Sequence, residues 1–203
     1  MFVSLMLSEK YEMIRSRVLH NLENNLSKDM WYHGVHHTID VVLQAERIAR
    51  NEIIINEEDL FLLKVACLYH DTGFLFTYQE HEAAGCNLAK EELPAFGLDP
   101  KQIAIICGMI MATKIPQTPH TKLEEIICDA DLDYLGRDDF FPISNTLFLE
   151  LKARNFVATE NDWNLIQIKF FKQHYFFTPT TKKLRDREKQ QHLEMIEAMI
   201  TGQ

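Results

Sequence analysis

The sequence predicts an all-α protein, and three observations carry this prediction. The chain of 203 residues contains only 7 glycines and 6 prolines, too few for the many tight turns of a β-sandwich or barrel. Helix start and stop signals recur along its whole length. A single segment, NEIIIN at residues 51–56, has the character of a strand, and it is short.

Capping residues and apolar periodicity predict six helices in the first two thirds of the chain. The expected spans are roughly residues 5–26, 35–51, 57–71, 80–93, 100–112 and 122–136. Asn56 can cap the third of these helices, and Asp99 followed by Pro100 is a typical opening for the fifth. Thr121 and Glu124 form a capping box at the start of the sixth.

Three further helices are predicted in the C-terminal third of the chain. The expected spans are roughly residues 139–156, 160–174 and 179–201, the last of them opening at Thr178. Arg185, Arg187 and Lys189 are expected to form the solvent-facing side of the last helix. Because no linker-like or low-complexity stretch interrupts the chain, we expect residues 1–203 to form one domain.

The composition narrows the class of partner. A formal net charge of −9 makes the chain a poor candidate for binding a long nucleic acid, whereas a bound metal could supply positive charge for a small phosphorylated ligand.

The 4 cysteines form no C-x-x-C pair and are expected to be buried thiols in a reducing compartment. Because the N-terminal segment lacks a basic n-region and no apolar run reaches 18 residues, we expect a cytoplasmic protein without membrane contact.

The second helix distinguishes two adjacent histidines by the face on which each lies. Its apolar stripe is formed by Val41, Ala45 and Ile48, and His37 lies four residues before Val41 on the same stripe. His36 instead falls on the polar face of the helix. We therefore expect His37 to point into the core and His36 to point toward solvent.

Two other helices also carry ionisable residues on their inward faces. The third helix is apolar nearly all round and ends at His70 and Asp71, so both side chains are expected at one point in the interior. In the sixth helix, Asp131 lies within the apolar arc, while Asp129 and Asp133 fall on a narrow polar strip. We expect Asp131 to face the core and the other two aspartates to face water.

The inward groups on these three helices have the composition of a metal site. They are two imidazoles and two carboxylates, from His37, His70, Asp71 and Asp131. Such a set suits a divalent cation, and two carboxylates offset the charge of an ion that would otherwise be costly to bury. We expect these four groups to meet.

The same residues resemble the HD superfamily of metal-dependent phosphohydrolases. The matching pieces are YHGVHHTIDVV, LYHDTGF and DADLDYLG, which follow one another in the order H…HD…D between about residues 32 and 136. The resemblance implies an HD-domain helical bundle, with the helices of residues 139–201 packed on this core. It also implies that the four inward residues are the metal ligands.

The first piece is also similar to the Y-H-N-x-x-H-x-x-D-V stretch of cyclic-nucleotide phosphodiesterases. In those enzymes the leading histidine is the general acid, a role that the resemblance assigns to His33. Gly34 stands where the phosphodiesterases have asparagine.

Four further positions bear on the match to the family and on the number of metal ions. Phe74 occupies the place of the lysine in the H-D-I-G-K sequence of many relatives. His81 fits the first additional histidine of the two-metal members, but Thr113 and Lys114 stand near the next one. The resemblance thus favours one tightly held ion, with His81 as a site residue, and leaves a weak second ion open. The ion itself, Mn, Mg, Fe, Zn or Ni, is not specified by the ligand set.

The expected function is hydrolysis of a nucleotide or another small phosphoester, mono- or diester, by metal-activated water. Asp71 would orient the water, and His33 or His81 would give a proton to the leaving oxygen. Lys114 either holds phosphate oxygens or is a solvated loop residue.

Two other functions remain open at the level of sequence. One is an HD-fold sensor that keeps its metal and binds a nucleotide without turnover, which Phe74 and Thr113 motivate. The other is a helical scaffold without metal. A homo-oligomer is compatible with the sequence but not indicated by it.

Overall fold

The computed structural model describes residues 2–52 and 56–202, with side chains from residue 6 onward. In this part of the chain the fold consists of nine α-helices and three short 3-10 segments, which confirms the all-α prediction. The helices are α1 (Phe2–Asn25), α2 (Val35–Asn51), α3 (Glu57–Tyr69), α4 (His81–Glu92), α5 (Pro100–Ala112), α6 (Lys122–Asp131), α7 (Phe140–Ala153), α8 (Glu160–Gln173) and α9 (Pro179–Thr201). The short strand predicted at 51–56 depends on residues 53–55, which lie outside the described residues.

Side-chain caps define the helix starts that the sequence predicts. The Asn56 side chain accepts a hydrogen bond of 2.8 Å from the backbone N–H of Asp59 at the start of α3. Asp99 and Thr121 form complete capping boxes at α5 and α6. Since these bonds satisfy amides that have no partner within the helix, they fix where each helix begins.

The sixth helix is shorter than predicted. It ends at Asp131, and the chain continues through a 3-10 segment at Asp133–Gly136. A Cβ atom at Gly136 would collide with the backbone of Arg185, so the absence of a side chain allows α9 to pack directly on this segment. The glycine therefore allows a contact between two segments that are about fifty residues apart in the chain.

The N-terminal helices share one apolar core with α3 at its centre. Helix α3 packs against α1, α2 and α5, and its residues from Val65 to Tyr69 are almost completely buried. This burial explains why α3 is apolar on all sides. It also places His70 and Asp71, which follow α3 directly, in the interior.

A second apolar core joins the C-terminal helices to the 3-10 segment after α6. Its buried members are Tyr32, Leu132, Tyr134, Leu135, Phe140, Phe171, Phe176, Leu193 and Ile196. The segment that carries Asp131 thus lies between the two cores. None of the described helices combines the length and apolar character that crossing a membrane requires.

Candidate metal centre

Three helical segments bring two imidazoles and a carboxylate to one point. Helix α2 supplies His37, the end of α3 supplies His70, and the last residue of α6 supplies Asp131. One ligand atom from each of these residues lies within 4.8 Å of the other two. His37 Nε2 is 3.1 Å from Asp131 Oδ1 and 3.4 Å from His70 Nε2.

The carboxylate of Asp71 completes the group. Its Oδ2 atom is 3.2 Å from His70 Nε2 and 3.4 Å from His37 Nε2. The same oxygen is buried and has no hydrogen-bond partner among the described residues. A buried carboxylate oxygen is costly to leave unpaired, so its position indicates a missing positive partner.

The spacing of these atoms fits a divalent ion. Metal–ligand bonds of about 2.0–2.2 Å place neighbouring ligand atoms about 2.8–3.6 Å apart in tetrahedral or octahedral geometry. The separations between the two histidine Nε2 atoms, and from these nitrogens to the carboxylate oxygens of Asp71 and Asp131, run from 3.1 to 3.6 Å. The residues present therefore fit a metal ion, and their mixed nitrogen and oxygen ligands suit several first-row metals.

The orientation of His70 is fixed from behind the site. Its Nδ1 atom lies 2.8 Å from the backbone carbonyl of Cys67, to which it donates. In a neutral ring this bond leaves Nε2 unprotonated and directed at the other ligands, the arrangement common in metal-binding histidines. Without an ion the ring is charged, because Asp71 and Asp131 raise the pKa of His70 by more than burial lowers it. The burial of His37 and the exposure of His36 confirm the predicted orientation of α2.

The charges within the cluster are only partly balanced by the chain. Burial acts to raise the pKa of Asp131, but the hydrogen bond from His37 and the nearby His70 lower it to about 2. Burial has the same effect on Asp71, and the charge of His70 brings its pKa well below the ordinary value. Both carboxylates are therefore ionised, and among the described residues neither pairs with a lysine or an arginine.

A buried glutamate that the sequence analysis missed holds His33 beside the cluster. Glu150 Oε1 is 2.5 Å from His33 Nδ1, and Oε2 accepts hydrogen bonds from the backbone N–H groups of Tyr32 and His33. Burial lowers the pKa of His33, but the bond to Glu150 together with the charges of Glu150, Asp71 and Asp131 outweighs it, and the net shift is upward. Glu150 lies on α7, 117 residues from His33, so no local pattern linked the two.

His81 lies on the other side of Asp71. Its Nε2 atom is 3.6 Å from Asp71 Oδ1 and 3.5 Å from the carboxylate of Glu82. The ring of Phe74 stacks on His81 at 3.8 Å and contacts His33 at 4.3 Å, measured between ring centroids. A Cβ at Gly73 would collide with the backbone of His81, so this glycine permits the close approach of α4.

Lys114 stands apart from the cluster. Its ammonium group lies on the surface and pairs with Glu80 at 2.6 Å. Its role in substrate binding remains a prediction. The neighbouring Thr113 is buried and lines the cavity beside the cluster.

The prediction that Asp129 and Asp133 face water is wrong. Both are completely buried, because the polar strip of α6 faces the C-terminal helices rather than solvent. Asp129 accepts bonds of 2.7 and 2.8 Å from the backbone N–H groups of Phe177 and Thr178. Burial nevertheless raises the pKa of Asp129 to about 6.

Asp133 is surrounded by arginines from three parts of the chain. Arg47 and Arg185 donate to it at 2.8 and 2.9 Å, and Arg137 Nη1 lies 3.8 Å away. The predicted solvent-facing side of α9 is therefore wrong for Arg185, which binds Asp133, and for Lys189, which is buried. The expectation holds for Arg187, which is exposed.

Two solved structures resemble this chain in fold. One is described as a predicted HD superfamily hydrolase from an uncultured Thermotogales bacterium, with 22% identity, a TM-score of 0.59, and coverage of 92% of this chain and 91% of the other. The second is a protein of Lactobacillus plantarum, with 17% identity, a TM-score of 0.65, and coverage of 96% and 98%. At these identities the likeness shows a shared fold.

A family model identifies the domain itself. The model of the HD domain matches residues 34–133, which include His37, the His70–Asp71 pair and Asp131. No curated protein matches the chain. The matched span contains all four residues of the cluster, and it agrees with the order H…HD…D on successive helices. The chain belongs to the HD superfamily.

Proposed function

We propose that this protein is a metal-dependent phosphohydrolase that acts on a small phosphoester. The observation that carries the proposal is the convergence of His37, His70, Asp71 and Asp131, with separations of 3.1–3.6 Å between neighbouring ligand atoms. Membership of the HD superfamily and the hydrolase description of one structural neighbour support the same reaction class.

The four residues of the cluster would hold one divalent ion. When bound, such an ion would supply a water with a pKa lowered to about 7 and would neutralise charge on a phosphoryl oxygen. The chain contributes the remaining parts of the reaction. Asp71 has one oxygen toward the imidazoles and the other toward His81, so it can orient a water molecule by accepting its hydrogen bond.

His33 is the better proton donor of the two candidates. Glu150 raises its pKa, so the ring is protonated over a wider pH range and can give a proton to the leaving oxygen. His81 has no comparable buried acid bonded to its ring: its closest carboxylates are 3.5 and 3.6 Å away. We therefore assign His33 as general acid and His81 as a residue that contacts the phosphoryl group.

The substrate is proposed to be a small molecule, with nucleotides among the candidates. The net charge of −9 argues against a long nucleic acid. A cytoplasmic location also belongs to the proposal, and the four free cysteines favour it.

The decisive experiment compares two adjacent histidines. Wild type, His37→Ala and His36→Ala are prepared without an affinity tag, analysed for bound metal, and assayed with Mn²⁺, Mg²⁺, Fe²⁺, Zn²⁺ and Ni²⁺ on a broad phosphoester panel. We expect His37→Ala to lose both metal and turnover, and His36→Ala, whose side chain is exposed, to keep both. Absence of turnover by wild type with every ion would refute the proposal, and ligand-dependent stabilisation without product would favour a sensor instead.

A further inference from the structure

A cavity of about 410 Å³ opens beside the metal cluster, between the HD core and the C-terminal helices. Its polar end is formed by His33, Asp71, His81 and Asp131. From there it extends between the segment after α6 and the helices α7 and α8. A substrate whose phosphate lies at the cluster would therefore place the rest of its structure in this space.

The far end of the cavity is apolar. Its walls include Leu132, Phe140, Leu147, Leu151, Trp163 and Phe170. Several of them belong to the second apolar core or pack against it, so they are held in place by neighbours rather than free to rearrange. This end offers aromatic faces and aliphatic side chains to whatever enters it.

Polar side chains at the apolar end already bind one another. The Ser144 hydroxyl donates to Gln167 Oε1 at 2.6 Å and accepts from the Trp163 indole N–H at 3.2 Å. The Gln167 amide donates to Asn164 at 3.1 Å. Hydroxyl groups on the lining also come from Tyr32, Tyr134 and Thr113, the last of which donates to the backbone carbonyl of Ile110. A sugar with several hydroxyl groups would lose hydrogen bonds to water without replacing them.

The cavity also lacks the positive charge that a second phosphate would need. Among the described residues that line it there is no lysine or arginine, while Asp71, Glu82 and Asp131 contribute carboxylates. Lys114 lies outside the lining and pairs with Glu80. One phosphate can be neutralised by the ion and by His33, but a diphosphate or triphosphate would enter without a counter-charge.

We infer that the substrate is the monophosphate ester of an apolar alcohol, with an aromatic ring or a branched hydrocarbon in the cavity. The inference rests on the proposed function, which places the phosphate at the cluster. It disfavours nucleoside diphosphates and triphosphates, because the described residues that line the cavity include no lysine or arginine for the additional phosphates.

The first test measures kcat/KM with pairs of substrates of similar leaving-group acidity. Naphthyl phosphate is compared with phenyl phosphate, and hexyl phosphate with glycerol phosphate. Because one methylene in an apolar pocket is worth about tenfold or more, we expect each larger or more apolar member to be preferred by at least about tenfold. Equal values within both pairs, or faster cleavage of nucleoside triphosphates, would overturn the inference while leaving the proposed function intact.

Two neighbouring residues of α8 provide a matched pair of variants. Ile166 lines the cavity and is 45% exposed, whereas Leu165 is 51% exposed and is not part of the lining. Ile166→Ser is expected to lower kcat/KM for naphthyl phosphate several-fold with little change for phenyl phosphate. Leu165→Ser is expected to leave both unchanged. An equal effect of the two substitutions would count against a substrate in the cavity.

Binding of non-hydrolysable ligands tests the cavity without turnover. Calorimetry on the Mn²⁺-loaded protein compares naphthylmethylphosphonate with methylphosphonate. We expect the naphthyl compound to bind at least about tenfold more tightly, with a negative heat-capacity change from apolar burial. If no phosphoester is cleaved, the proposed function fails. This comparison of affinities still tests whether the cavity binds an apolar group. Equal affinities would overturn the inference whatever the activity.

Discussion

Two aspartates separated by one residue lie in opposite electrostatic surroundings. Asp133 is completely buried and meets three guanidinium groups, from Arg47, Arg137 and Arg185. Asp131 faces the imidazoles of the cluster, which also contains a second carboxylate, and it has no lysine or arginine partner among the described residues. The chain balances the first region with arginines, while in the second the described partners of the two carboxylates are imidazoles.

This difference separates a structural site from a candidate binding site. The arginines around Asp133 also bind Asp40 and Asp139 through Arg137, so the positive and negative charges of that network are equal. In the cluster, Asp71 Oδ2 is buried with no hydrogen-bond partner among the described residues, and the groups near it are the imidazoles of His37 and His70, which must be neutral to bind an ion. A buried charge that the chain compensates holds helices together, whereas one that it leaves uncompensated can recruit an ion.

The largest expected effect follows from Asp131→Asn. The substitution keeps the shape of the side chain but removes a negative charge from the cluster, so we expect loss of bound metal. Activity should fall about a thousandfold or more, equivalent to about 4 kcal/mol of transition-state stabilisation. In metal-free protein the free energy of unfolding should change by less than about 2 kcal/mol, because one hydrogen bond is altered. Retention of metal in this variant would contradict the proposed ligand set.

The matching substitution in the balanced region should act on stability instead. Asp133→Ala leaves three arginines facing one another without their common acceptor, and breaking a buried ion pair typically costs about 3–5 kcal/mol. We expect a loss of this size in denaturant unfolding, with or without metal. Asp138→Ala is the control, because that side chain is exposed. Similar losses for Asp133→Ala and Asp131→Asn in metal-free protein would remove the distinction between the two regions.

A smaller effect is expected from Glu150→Gln, which tests the general acid. Glu150 raises the pKa of His33, and a general acid is active while protonated, so activity should fall as the pH rises through that pKa. The substitution removes the charge, lowers the pKa of His33, and should move this limb of the pH–rate profile to lower pH.

The loss of activity in His33→Ala sets an upper limit for the loss expected in Glu150→Gln. His33→Ala should reduce kcat by about 10²–10⁴-fold, the usual contribution of acid–base catalysis, and Glu150→Gln by less. An unchanged high-pH limb in Glu150→Gln, with the fold intact by circular dichroism, would exclude His33 as the acid that Glu150 positions.

The smallest effect is expected from Lys114→Ala. This lysine is exposed and paired with Glu80 rather than placed in the cavity wall, so kcat and KM should change by less than about twofold. Steady-state kinetics with the best monophosphate substrate checks this. A tenfold rise in KM would restore the phosphate-binding role that the sequence suggests for Lys114.

Helical periodicity correctly predicted the orientation of a side chain where the apolar face of a single helix determines it. The inward orientation of His37 follows from its place on the stripe of Val41 and Ala45, and the structure confirms it. The argument failed in α6, where a polar strip was assigned to solvent although Asp129 and Asp133 face other parts of the chain. Helical periodicity divides a helix into faces, but it does not indicate what packs against a polar face.

The sequence by itself determined the helical class, the helix starts at Asn56, Asp99 and Thr121, and the order of the histidines and aspartates. These features depend on local hydrogen bonds and periodicity, which neighbouring residues control. Only the tertiary structure decided that Glu150 holds His33 and that apolar helices enclose the space beside the cluster. Glu150 and His33 are 117 positions apart, and the energies of both features depend on which surfaces meet when the helices pack.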